Sequence, residues 1–341
     1  MRLSAIVGAT LAAATLLAAP AARAAEEVNI YTGRHYEGDQ ILYDGFTAAT
    51  GIKVNVLEGS TDEILQRLEL EGETSPADVF ITVDAGNLWR AEQKGLFQPV
   101  DSQVLNERIP ASLRHPDGLW YGLSTRARVF FVRKDSIDVL ALTDYASLAD
   151  PQFKGQVCIR SGTNVYNLSL LAALIDEQGE AKAEEWAKGV VANMARKPQG
   201  GDTDQLKAAA AGECAIAVSN TYYYVRLAKS DKPADQEVAQ KLAIVWPGQG
   251  GKGAHVNVSG AGVTRHAPHR ENAVKFLEYL AGDAAQAYFA NTNNEYPAVA
   301  SAEKNPALEA LGTFKADPVN VSVYGKNQPL AQAIMDRAGW Q

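Results

Sequence analysis

The sequence predicts an α/β protein of two lobes with a cleft between them. Three observations lead there. Short apolar strands alternate with amphipathic helical stretches, the pattern of βα units and parallel sheets. One such block runs to about residue 125, a second follows, and a Gly-rich crossing at Gly248–Gly253 leads into further helices. The chain has 341 residues, more than one ordinary core holds. We expect one lobe from 25–126 with 252–300 and the other from 127–251 with 301–341.

The elements follow in order. Residues 1–24 read as a secretory signal: Arg2, an apolar run from Leu3 to Pro20, then Ala22-Arg23-Ala24 as a small-x-small cleavage site. Strands are expected at Glu27–Thr32, Ile52–Leu57 and Ala77–Val83, with helices at Asp39–Thr50, Thr61–Gly72 and Leu88–Lys94 between and after them. Trp120–Leu123 is short and extended. Arg128–Arg133, Lys154–Arg160, Cys214–Ser219 and Leu242–Trp246 are further strands. Helices are expected at Tyr166–Ile175, Glu180–Ala192, Asp202–Ala211, Arg270–Leu280, Ala284–Asn291 and Gln328–Ala338.

Charge narrows the function. Arg2 and Arg23 fall in the leader, which holds no acid, so the 32 basic residues become 30 against 40 acidic ones, a net of −10 after cleavage. An acidic surface argues against nucleic acid and anionic membranes, suits a soluble exported protein and mildly favours cationic ligands. No second apolar run is long enough to span a bilayer. The two cysteines, Cys158 and Cys214, form no CxxC motif; an exported setting favours a disulfide over two buried thiols. There is no G-x-S-x-G, no H-E-x-x-H and no nucleophile–base pair, so an enzyme is not expected.

The chemistry-bearing residues are tyrosines. Tyr222, Tyr223 and Tyr224 stand in a row, and neighbours about 100° apart on a helix cannot all face one core. Aromatic packing is one explanation. A hard-cation site is the other, since phenolate oxygen is a hard ligand and a trivalent ion deprotonates phenols at neutral pH. Context favours the cation site. His35-Tyr36, Tyr166 and Tyr222-Tyr223 each follow a strand at its carboxyl end, where open α/β sheets bind ligands and helix N-termini stabilise anions. Cys158 precedes Tyr166 by eight residues and Cys214 precedes Tyr222 by eight; if the cysteines bridge adjacent strands, the two turns lie side by side. Arg126 is a candidate to offset phenolate charge, whereas Arg34 and Arg128 are expected at the surface. Asp84 is expected as a helix N-cap, the alternative being a hard oxygen ligand. His115 is expected on a surface loop.

The chain resembles the periplasmic ferric-ion-binding proteins of ABC iron importers, in the tyrosine-rich class similar to cyanobacterial iron-binding proteins. The resemblance rests on Tyr31-Thr32-Gly33-Arg34-His35-Tyr36, Asp84-Ala85-Gly86-Asn87-Leu88, Asn164-Val165-Tyr166-Asn167, Asn220-Thr221-Tyr222-Tyr223 and His255-Val256-Asn257-Val258-Ser259-Gly260. It implies a two-lobed type II solute-binding fold that closes on Fe3+. It implies Tyr36, Tyr166, Tyr222 and Tyr223 as ligands, with His35 as an optional fifth, and leaves Tyr224 to pack. Arg126 matches an arginine that holds a carbonate in related members; here it is expected as the anion-holding or charge-balancing partner. The resemblance further implies a monomer that delivers iron to an inner-membrane ABC permease. The alternative is a protein of the same fold that binds a small organic solute; a secreted hydrolase is a weaker third.

Overall fold

The computed structural model describes residues 26–34, 36–134, 136–303 and 305–341. The expected signal, 1–24, and His35 lie outside the described residues. The strands are β1 (Glu27–Thr32), β2 (Lys53–Glu58), β3 (Val79–Val83), β4 (Tyr121–Arg133), β5 (Val157–Cys158), β6 (Ile216–Asn220), β7 (Leu242–Val245), β8 (Val256–Val263) and β9 (Tyr296–Pro297). Their order is β2-β1-β3-β8-β4-β6-β5, with β7 and β9 also on β4.

The expected parallel pairing holds for β1 with β2 and β3, and for β5 with β6. It fails for β4 and β8, which run antiparallel to their neighbours. These two form the middle of the molecule. Residues Tyr121–Ala127 of β4 pair with β8, and Arg128–Val132 pair with β6. One strand therefore serves two sheets, with the change of partner between Ala127 and Arg128.

Local sequence explains the elements flanking the cleft. Ser60 and Glu63 form a reciprocal capping box that starts the helix Thr61–Glu71, which buries Ile64, Leu65 and Leu68. Helix Gln40–Thr50 buries Leu42, Tyr43 and Phe46 and stops at Gly51, whose φ of 75° completes a left-handed cap. Among the described residues, no helix is long and apolar enough to cross a membrane.

Three expectations are corrected. Trp120–Leu123 and Arg128–Arg133 are parts of one strand, because Ser124, Thr125 and Arg126 are buried polar residues and not a loop. The strand expected over Lys154–Arg160 shrinks to Val157–Cys158, since only these two residues pair with β6. The last helix begins at Ser322, six residues before the expected start. Pro329 lies inside it and forfeits one backbone bond, while Tyr324, Gly325 and Gln328 are buried along it.

This terminal helix packs on helix Val165–Gln178 and on helix Ala85–Gln93. At the second contact a Cβ on Gly325 would lie 2.0 Å from Trp89 Cβ. Backbone-near atoms have no rotamer escape, so overpacking is unavoidable. Gly325→Ala is expected to destabilise the protein by about 1–3 kcal/mol, read as a lower denaturation midpoint; an unchanged midpoint would show that the helices separate freely.

Candidate metal centre

Tyr166 and Tyr222 start helices. Asn164 caps helix Val165–Gln178, its Oδ1 accepting from the Tyr166 amide at 3.1 Å. Asn220 ends β6 and caps helix Thr221–Ala228. The Cys158–Cys214 disulfide is present, and β5 and β6 lie side by side. The equal eight-residue spacing is not what aligns the turns, however. Cys158 pairs in register with Ala217, three residues beyond Cys214, and the longer turn over 159–164 absorbs the difference. The two phenol oxygens meet at 3.2 Å. The rings of Tyr222 and Tyr223 stack with centroids 4.2 Å apart.

Tyr36 comes from a distant part of the chain, between β1 and helix Gln40–Thr50. Its hydroxyl donates to Glu295 Oε1 at 2.9 Å. Arg226 links it to the other phenols: its Cζ is 4.9, 5.0 and 5.8 Å from the ring centroids of Tyr36, Tyr222 and Tyr223. Tyr36, Tyr166, Tyr222 and Tyr223 are thus gathered at one place. Tyr224 is not among them. It stacks on Phe131 at 4.7 Å and donates to the Ala239 carbonyl at 3.2 Å.

Arg126 is 1 % exposed and lies 5.6 Å from the Tyr222 ring. Its Nη2 donates to Glu295 Oε1 at 2.6 Å, while Nε and Nη1 are buried without a protein partner. Two buried nitrogens without a protein partner, on a guanidinium beside Tyr222, fit a group that can meet anionic oxygen. Arg34 and Arg128, expected at the surface, are both buried. Each has carboxylates to compensate it: Asp39 at 3.1 Å and Glu295 at 3.6 Å for Arg34, Asp202 at 3.1 Å for Arg128. His115, expected on a surface loop, is also buried, with Nε2 3.3 Å from Glu92. Asp84 is the N-cap of helix Ala85–Gln93, accepting from the Gly86 amide at 2.8 Å, and its carboxylate is taken up by Ser169 and Asn257.

Sequence reasoning left Glu295 unplaced and missed Arg160 and Arg226. Glu295 stands 259 residues from Tyr36, and nothing local marks it. Arg226 was findable: it sits four residues after Tyr222 and three after Tyr223, the spacing of neighbours on a helix face. Arg160, 5.3 Å from the Tyr166 ring, carries no such signal.

The electrostatics keep Tyr36, Tyr166 and Tyr222 neutral at pH 7. Burial pushes Tyr36 up to about 12, with Glu295 adding to the effect and Arg126, Arg34 and Arg226 opposing it. Tyr166 and Tyr222 are raised further, by burial first; Tyr223 and Tyr36 add to Tyr166 while Arg126 and the Tyr222 hydroxyl oppose, and Tyr166, Tyr36 and Tyr223 add to Tyr222 while Arg126 opposes. Glu295 is the reverse case. Burial favours its protonated form, but Arg126, Arg34 and the hydroxyls of Ser124 and Tyr36 outweigh burial and hold it at about 2. Ser124 donates to Oε2 in a short contact.

The family model for bacterial extracellular solute-binding proteins matches residues 74–316. Iron uptake protein A2 of Synechocystis is 50% identical over 340 residues, covering 98% of this chain and 97% of its own. A Trichodesmium protein solved in complex with iron and citrate ligands superposes with a TM-score of 0.90 at 51% identity, covering 92% of this chain and 100% of that one. Ferric iron-binding protein A of Mannheimia haemolytica, in an open conformation, gives 0.85 at 40% identity over 93% and 99%.

The Glu295 carboxylate makes an acid-sensitivity prediction. Its folded pKa is depressed from 4.5 to about 2, so its contribution is complete above about 4.5 and lost as pH falls toward 2. Glu295→Gln is expected to flatten the fall in unfolding free energy over that window. At neutral pH it should cost about 3–5 kcal/mol by leaving Arg126 unpaired. Denaturant melts from pH 7 to 2 measure both, and parallel curves for the two proteins would refute the assignment.

Proposed function

The chain belongs to the bacterial extracellular solute-binding protein family, and we propose that it binds ferric iron in the periplasm and delivers it to an inner-membrane ABC permease. One observation carries this: four tyrosines from distant parts of the chain converge, with two hydroxyls 3.2 Å apart, among five arginines. Phenolate is among the few protein groups that satisfy a small trivalent ion, and hard oxygen donors prefer such ions. The two-lobed type II fold supplies a cleft, and relatives whose names or titles carry iron support the cargo.

In this reading Tyr36, Tyr166, Tyr222 and Tyr223 ligate Fe3+, with His35 as an optional fifth. Lobe 1 is 25–126 with 252–300 and lobe 2 is 127–251 with 301–341, a division supported by the exchange of partners along β4. Four phenolates exceed the charge of the ion by one. Arg126 balances that excess or holds a small anion such as carbonate beside the iron. The protein is exported by residues 1–24, acts as a monomer, and is not an enzyme.

Raised phenol pKa values give the binding its pH sign. Each ligand must lose a proton to coordinate, so binding releases protons and weakens as pH falls. Opening by the permease, reduction of the ion, or protonation of the phenolates then discharges it.

The test is colour. Iron-loaded protein should show a visible phenolate-to-iron charge-transfer band, and colourless loaded protein would overturn the proposal. Tyr222→Phe or Tyr223→Phe should bleach or shift the band and weaken binding at least about tenfold. Tyr224→Phe, packed on Phe131, should leave both unchanged. Iron added as a ferric chelate in weak buffer should release phenol protons in about the same number at pH 7 and pH 9, because Tyr36, Tyr166 and Tyr222 are protonated at both.

A further inference from the structure

We propose that Arg128 is a positioning residue for the ligand pair: its buried guanidinium clamps the starts of both tyrosine-bearing helices of the second lobe and sets the separation of Tyr166 and Tyr222. The proposal rests on the ferric site just described, but the clamp itself is visible without metal.

Arg128 and Asp202 are 1 % and 0 % exposed. Every nitrogen of the guanidinium is used. Nε and Nη2 donate to Asn167 Oδ1 at 3.2 and 2.6 Å. Nη1 donates to Asp202 Oδ2 at 3.1 Å and to Asn220 Oδ1 at 3.2 Å. Asn167 is the residue after Tyr166, and Asn220 lies two before Tyr222. One planar group therefore holds a residue beside each phenol.

The rest of the network removes slack. Asn167 Nδ2 donates to the carbonyls of Arg160 and Ser161 at 2.8 and 3.0 Å, which orients its Oδ1 toward Arg128. Asp202 Oδ2 also accepts from the Asn220 amide at 2.8 Å, tying the end of β6 to the same carboxylate. Arg128 stands opposite Asn220 in the β4–β6 ladder, so the backbone fixes the origin of the clamp. Its Cζ lies 5.9 Å from the Tyr166 ring, and its hydrogen bonds go to Asn167, Asp202 and Asn220, so it acts on the phenol through its neighbour.

A buried ion pair is a poor device for stability, since well-packed apolar residues do as well or better. What a fixed fork of donors supplies is geometry. A metal site needs its donors held before the ion arrives, and supporting contacts of this kind are worth about 10–100-fold in affinity. Lysine keeps the charge but offers one flexible nitrogen, which cannot span Asn167 and Asn220 together.

The experiment has two arms on the full mature chain. In the first, structures of metal-free wild type and Arg128→Lys are compared. The clamp predicts that the Tyr166–Tyr222 hydroxyl contact breaks in the variant while Tyr222 and Tyr223 stay stacked; an unaltered contact overturns the proposal. In the second, Fe3+ is titrated into both proteins. The variant should bind about 10–100-fold more weakly with a shifted or broadened charge-transfer band; wild-type affinity and band in a folded variant overturn it. Should Arg128→Lys not fold, Asn167→Ala removes the Tyr166 side of the clamp alone and must move the same two readouts the same way. If wild type itself takes up no ferric iron, the proposed function fails, and the metal-free structures still decide the clamp.

Discussion

Two guanidinium groups are buried on one face of a single strand, and most of the molecule is arranged to compensate them. Residues two apart on a strand point the same way, so Ser124, Arg126 and Arg128 share a face of β4. An unpaired charge in a protein interior is prohibitively costly. Arg126 is met by Glu295 and Ser259, which belong with the first sheet; Arg128 is met by Asp202, Asn167 and Asn220, which belong with the second. The strand changes sheets between them, at Ala127. The carboxylates come from 169 and 74 residues away. Satisfying these charges therefore brings both sheets and the 293–297 turn to one point, and the phenols collect there.

That order of causes explains why a cationic surrounding suits a cation. Among the described residues, five arginines face the phenols and three carboxylates, Asp39, Asp202 and Glu295, pair with them, leaving a surplus of two positive charges. A tyrosine near 10 is already neutral at pH 7, and burial moves Tyr36, Tyr166 and Tyr222 further from ionising. The arginines work in the opposite direction and lower the cost of phenolate. In the proposed ferric site, phenols that are neutral without the ion and anionic with it let the same side chains tolerate both states. Tyr36 shows the balance within one residue, between Glu295 on its hydroxyl and Arg34 4.5 Å from its ring.

What the sequence revealed follows from how local each signal is. β1 was legible to the residue, and helices Asp202–Ala211 and Arg270–Leu280 were too, because periodicity and caps are local. The tyrosines were legible as a group because each follows a strand. β4 was misread as two pieces because Ser124-Thr125-Arg126 looks like a polar loop until its distant partners are known. Glu295 was illegible for the same reason: one acid among 40, in a turn with no distinguishing pattern. The cysteines do bridge adjacent strands, as expected, while the stagger of Cys158 against Ala217, three residues past Cys214, leaves no mark in the spacing.

β5 contributes only two rungs to its sheet, yet the turn that carries Tyr166 springs directly from it. A strand so short is held weakly by its ladder, and the bond from Cys158 to Cys214 makes the attachment covalent. That bond adds to the two rungs, the buried Val157 and Ile159, the Trp340 indole on the Arg160 carbonyl and the polar contacts around Asn167. The bridge closes a loop of 56 residues and so limits how far the strand leading to Tyr166 can move from the strand leading to Tyr222, a tether that persists in an oxidising compartment.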